Sequence, residues 1–214
     1  FIEFLNWFVR KAYFFFHRRF LMEDAHLEAE TPLTVKSEQS ESRRILSFAL
    51  GSTFVFILYT VLVLEPAGKC FRLDGSSNSL GLTFSYTLEM VQDFFNLRSQ
   101  NQLDCYSNFL LIWDVIYAVI YASMYCFWTM YFFKNRRILL AIPVLAMVAD
   151  WAENFTEILM INSHLDSGSI SATLVSVGSF INMFKLTMLS FTYLVLIAGI
   201  IYKIKSVLTR PNNS

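Results

Sequence analysis

Four apolar runs constrain this chain more than any other feature. Ile45 to Leu64, Phe109 to Phe133, Ile138 to Ile161 and roughly Ala172 to Tyr202 are each long enough, as helices, to cross a hydrocarbon layer about 30 Å thick. In hydrocarbon every backbone N–H and C=O has to be satisfied inside the segment, so such runs fold as α-helices. The expected fold is an all-α integral membrane protein, a four-helix transmembrane bundle. Composition agrees: 55% hydrophobic, 17% aromatic with 22 Phe, and only 16% charged is not the make-up of a soluble domain.

Charge distribution sets the expected topology. Seven Lys/Arg precede the first run, Lys134, Arg136 and Arg137 lie between the second and third, and Lys203, Lys205 and Arg210 follow the fourth. Only Lys69, Arg72 and Arg98 fall in the long connection 65–108. The positive-inside rule therefore puts both termini on the cytoplasmic or equivalent side of a bacterial inner membrane or an organellar inner membrane. The basic residues sit at helix ends, which topology already explains, so no nucleic-acid surface is expected.

Residues 1–22 alternate Phe and Trp with Arg and Lys, as an interfacial helix does, and a helix packed on a partner subunit would read the same way. They lack a small-residue cleavage site and do not read as a signal peptide. With no initiator Met at Phe1, the chain is expected to be processed, trimmed or incomplete there. Residues 23–44 read as a polar linker, 45–202 as the membrane domain and 203–214 as a tail. His17 and His26 read as surface residues.

The outer connection holds Cys70 and Cys105, a possible disulfide worth up to about 4 kcal/mol if that side is oxidising. Phe84, Leu88, Val91 and Phe94 or Phe95 recur at helical spacing, so an amphipathic helix over about 83–97 is expected to cap the outer mouth of the bundle. In the first run, Ser52 and Tyr59 are candidates to offer hydroxyls to the interior. Cys126 reads as a small apolar residue of the second run.

The third run is interrupted by polarity. Asp150, Glu153, Asn154 and Glu157 stand at i, i+3, i+4 and i+7, one stripe of a helix, and Pro143 before them is expected to kink that helix. A charged side chain at mid-bilayer costs about 2.5–3.5 kcal/mol, so the stripe has to face protein, water or a counter-ion. Asn182 and Lys185 on the fourth run supply the facing polarity, with Gly178 and Ser179 permitting close approach. Depth counting pairs Lys185 with Asp150 and leaves Glu153 and Glu157 without a partner. On the second run Asp114 is followed by Tyr117, Tyr121 and Tyr125, read either as a packing seam or as hydroxyl donors to the acids. The polar cluster is thus Asp114, Asp150, Glu153, Asn154, Glu157, Asn182 and Lys185.

Tyr86-Thr87-x-Glu89-x-Val91, Tyr106, Phe109, Asp114, Tyr117, Tyr121, the Asp150-x-x-Glu153-Asn154 box and Lys185 resemble a family of small bacterial four-span membrane proteins of uncharacterised activity. The resemblance covers about residues 83–200, and the family's Pro near Tyr117 is absent here. It implies the fold and the polar site and carries no activity.

Three function classes follow, of which the first is the expected one and the other two its alternatives. The first is a non-catalytic subunit or scaffold of a larger membrane assembly, its buried polar network fixing helix register, with other membrane subunits or a second copy as partners. The second is a small ion or proton transport protein using the acidic stripe. The third is a lipid-binding protein or lipid-active enzyme with Glu153 and Glu157 as acid/base groups. No catalytic constellation, metal site or cofactor is expected. The three His lie outside the apolar runs, which removes haem, and a bound lipid is the one non-protein occupant foreseen.

Overall fold

The computed structural model describes residues 32–73, 79–134 and 136–209, and among these it is helical with no strand. The aromatic segment 1–22, with His17, and residues 23–31 of the polar linker, with His26, lie outside the described residues; from Pro32 on the expected linker is helical. Two compact units are present, Phe1–Ser40 and Glu41–Ser214. Of the first only residues 32–40 are described, and they are helical.

Six helices are named here: α1 Pro32–Tyr59, α2 Leu88–Asn96, α3 Gln100–Asn108, α4 Val115–Phe132, α5 Ala141–Ser167 and α6 Ala172–Leu208. Four continuous helical segments are long and apolar enough to cross a membrane: Ser40–Cys70, Gln100–Phe132, Arg137–Ser167 and Ala172–Ser206. Each exceeds the matching apolar run. The extra length is mostly polar α-helical turns beyond the apolar runs, as in 40–44, 100–108, 162–167 and 203–206. A π-helical turn, Thr60–Leu64, extends α1, and another, Phe109–Asp114, joins α3 to α4.

The spans differ in depth of burial. In α5 44% of the apolar window is buried and in the first span only 6%, so α5 is the centre of the bundle and α1 a lipid-facing wall. Phe54 and Leu62 on the first span and Phe180 on α6 point outward, as side chains do when lipid is as apolar as they are. In such a setting helices hold together by close packing and polar contacts. Phe48 stacks on Phe127 and Phe56 on Tyr117, both with centroids 5.5 Å apart. Trp128 Nε1 donates to Thr53 Oγ1 at 2.9 Å and the Tyr59 hydroxyl to the Trp113 carbonyl at 2.9 Å. Ser52, a candidate either to offer its hydroxyl to the interior or to bond its own backbone, does the second, donating to Ala49 O. On α6, a Cβ at Gly199 would lie 2.6 Å from Phe132 Cγ and 2.7 Å from Phe132 Cβ, so glycine is what lets α4 and α6 close.

Pro143 stands in the first turn of α5, which opens from a 3-10 turn, Arg137–Leu140. The first N–H groups of a helix have no intrahelical acceptor, so proline is tolerated there and the kink expected before Asp150 has no cause. At its other end α5 runs on to Ser167, absorbing His164 and Asp166, and stops at Gly168 with φ 65°, a left-handed C-cap that glycine adopts without strain.

The connection between the first two spans is organised rather than slack. Thr87 caps α2 by accepting from Met90 N, and α2 buries Val91, Phe94 and Phe95. The helix is shorter than the 83–97 expected. Phe84 lies outside it and is exposed, in a bent stretch that follows the 3-10 turn Leu80–Leu82. Cys70 and Cys105 are disulfide-bonded, Cα atoms 6.4 Å apart, across a sequence separation of 35. Beside the bridge Arg98 donates from Nε to the Phe71 carbonyl at 3.0 Å and from a terminal nitrogen to the Phe94 carbonyl at 2.7 Å, with its guanidinium over the Phe94 ring. Burial pulls the Arg98 pKa below its ordinary value.

Two apolar clusters flank the polar stripe of α5. One contains Val91, Phe95, Tyr106 and Met160; the other contains Tyr121, Met124, Tyr125 and Met147. Met147 and Met160 lie on either side of Asp150 to Glu157 on the same helix, so the polar residues form a layer between two sealed apolar ones.

Candidate functional site

Helical spacing puts Asp150, Glu153, Asn154 and Glu157 on one face of α5, and all four are buried. Side chains from several other elements meet them. Lys185 reaches from α6 with its Nζ 3.1 Å from Asp150 Oδ1 and 3.3 Å from the Gly81 carbonyl, and it forms an ion pair with Glu153 Oε2. The ammonium therefore bridges two carboxylates, which corrects the expected assignment to Asp150 alone. Depth counting resolves a helical turn, and Asp150 and Glu153 are less than one turn apart.

Glu157 has a partner as well: Tyr106, in α3, donates its hydroxyl to Glu157 Oε2, and Ser79 Oγ lies 3.1 Å from that hydroxyl. Asn154 donates from Nδ2 to Asp114 Oδ2 at 2.8 Å and to the Leu110 carbonyl at 3.3 Å. Both acceptors belong to the π-helical turn, a local widening often found at functional sites. Of the three tyrosines expected to serve the acids, Tyr121 does, donating to Asp150 Oδ2 at 3.2 Å. Tyr125 donates instead to the Tyr193 hydroxyl at 2.9 Å, and Tyr117 stacks on Phe56.

The segment 79–87 closes the layer with its backbone. Gly81 O faces Lys185, Thr83 O accepts from Asn182 Nδ2, and Tyr86 N donates to Ser179 Oγ at 3.0 Å. A Cβ at Gly81 would lie 3.0 Å from Glu153 Oε1 and 3.2 Å from Lys185 Nζ, so the chain passes directly over the charges.

Between these groups lies a cavity of about 270 Å³. Asp114, Asp150, Glu153, Glu157 and Lys185 line one part; Phe56, Tyr117, Tyr121, Tyr125 and Tyr193 line another. Four carboxyls share this space with a single ammonium. Glu153 Oε1 and Glu157 Oε1 are buried without a hydrogen-bond partner, as are the Tyr86 hydroxyl and Asn182 Oδ1. Orphaned buried acceptors are rare, because each forfeits the hydration it had in water. Burial, then the charges of Glu157 and Glu153, push the Tyr86 phenol well above its ordinary pKa.

The structure thus brings together every member of the expected polar cluster except Asn182, which serves the overlying segment. It adds Tyr106, Ser79, Gly81, Tyr86 and Tyr193. Tyr106 had a signal: Tyr106, Leu110, Asp114, Tyr117, Tyr121 and Tyr125 continue one stripe at steps of three or four, visible once the helix starts at Gln100. Gly81 had none, since it acts through its carbonyl. Among the described residues no three His, Cys, Asp or Glu side chains are placed to hold a metal ion. Compared with family models, with curated proteins and with solved structures, the chain matches none, so its chemistry is read from this geometry.

Proposed function

We propose that this is a cation-handling membrane protein whose cavity binds a small organic cation, an ammonium compound. One observation carries the reading: four carboxyls and one lysine line a single cavity, and two of the carboxyl oxygens, Glu153 Oε1 and Glu157 Oε1, have no hydrogen-bond partner. Uncompensated charge in a low-dielectric interior costs several kcal/mol per ion, so an entering cation is favoured by the site's own imbalance. The tyrosine wall suits the same guest, because aromatic faces attract ammonium groups. A volume of about 270 Å³ is at the lower edge of small-molecule sites and larger than a bare ion requires.

The test is a thermal-shift series on the full chain in detergent. Tetramethylammonium should raise the unfolding temperature in a saturable way, by the linkage that gives about 2.7 kcal/mol at a hundredfold excess over Kd, while tetramethylammonium's neutral isostere neopentane-type alcohols should not. Equal shifts from cation and neutral analogue would overturn the reading.

A scaffold role in a larger assembly is the second reading, favoured by the way the polar layer ties α4, α5, α6 and the segment 79–87 into one network. A second chain retained through native mass spectrometry would support it. Membership in the four-span family that shares the Asp150-x-x-Glu153-Asn154 box belongs to the same proposal. So does topology: the basic residues cluster at one end of the spans, and the disulfide joins the connection at the other, as an oxidising outer face of an inner membrane would allow.

A further inference from the structure

We propose that Glu153 and Glu157 form a carboxyl–carboxylate pair that holds one exchangeable proton, released when the cavity takes up a cation; the exchange, though not the proton, rests on the cation reading above. The two side chains stand at i and i+4 on one face of α5, both 1% exposed, a spacing that makes their carboxyls neighbours. Each has one oxygen engaged elsewhere, Glu153 Oε2 by Lys185 and Glu157 Oε2 by Tyr106. The oxygen left over on each is the one without a partner. Two carboxylates cannot satisfy one another, because both only accept; a carboxylic acid beside a carboxylate can, with one proton serving both orphaned atoms.

The surroundings assign the proton. Lys185 from α6 contacts Glu153 and favours its anionic form. Glu157 makes no ion pair with Lys185, whose charge reaches it only from a distance, and its contact is the neutral hydroxyl of Tyr106 from α3, while the Tyr86 phenol from the overlying segment is close enough to sense both acids. Asp114, from the π-helical turn, and Asp150, on α5 itself, add like charge. Glu157 is therefore the protonated member. When a monovalent cation enters, the O–H bond of Glu157 breaks, the proton goes to solvent, and two carboxylates hold the cation. The exchange is one positive charge in for one out, so it buries no additional charge.

The experiment uses infrared spectroscopy of the full chain in detergent, with a pH-indicator dye in weak buffer. Wild type should show the C=O stretch of a buried carboxylic acid at neutral pH. Glu157→Gln should lose it and stay folded, since the new amide N–H can donate to Glu153 Oε1 in the proton's place; Asp114→Asn should keep it. Adding tetramethylammonium should erase the band in wild type and release one proton per cation bound. A band untouched by Glu157→Gln in a folded protein would overturn the shared proton. Cation binding with no proton release would overturn the exchange and leave the cation reading standing. Absence of binding with the Glu157-dependent band intact would overturn the cation reading and the exchange together, while supporting the proton site.

Discussion

Replacing Lys185 by Met would leave Asp150 and Glu153, which now share its ammonium, facing one another without a cation. Removing one partner of a buried ion pair typically costs about 3–5 kcal/mol, so Lys185→Met should lower the unfolding temperature sharply, and adding Glu153→Gln should recover part of the loss. Tyr86→Phe works in the other direction. It deletes a buried hydroxyl that has no partner, so at neutral pH thermal stability should stay level or rise. The folded phenol keeps its proton to higher pH than the unfolded one, whose pKa is about 10. Stability present below that value is therefore lost as pH climbs past it, and Tyr86→Phe should decline less steeply there than wild type. At this scale the acidic stripe was legible, because i, i+3, i+4, i+7 spacing is a property of the helix. Its pairings were not, because the difference between Asp150 and Glu153 as partners for Lys185 is a matter of ångströms at one side-chain tip.

Elements carry the second set of consequences. The Cys70–Cys105 bridge ties the start of the connection to α3, and its loss through Cys70→Ser should destabilise by up to about 4 kcal/mol in the chain-entropy picture, read as an unfolding temperature that falls under reductant in wild type only. Gly199→Ala would press a methyl into Phe132, whose Cβ is fixed to α4, so α4 and α6 have to separate; a cost of about 1–3 kcal/mol is expected for such overpacking. The spans were readable from apolar run length, with ends short by as much as nine residues at Gln100, because polar turns that continue a helix carry no hydropathy signal. The segment 79–87 was not readable at all. Its contribution is made by the carbonyls of Gly81 and Thr83 and the N–H of Tyr86, groups every residue has and no residue type announces.

For the whole molecule, the polar layer between two apolar clusters makes a membrane bundle whose most costly residues are its most central ones. The cation reading is carried at this scale by four carboxyls and one ammonium lining a single cavity. The proposed topology predicts that a cysteine placed at Lys205 reacts with an impermeant thiol reagent only from the cytoplasmic side in oriented vesicles. The central claim is tested most directly by calorimetric titration of tetramethylammonium into the wild-type chain and into Glu157→Gln, both shown to be folded. The expected result is saturable binding to wild type, weakened at least about tenfold in the variant, a loss of about 1.4 kcal/mol. Identical isotherms for the two proteins, or no binding to folded wild type, would contradict it.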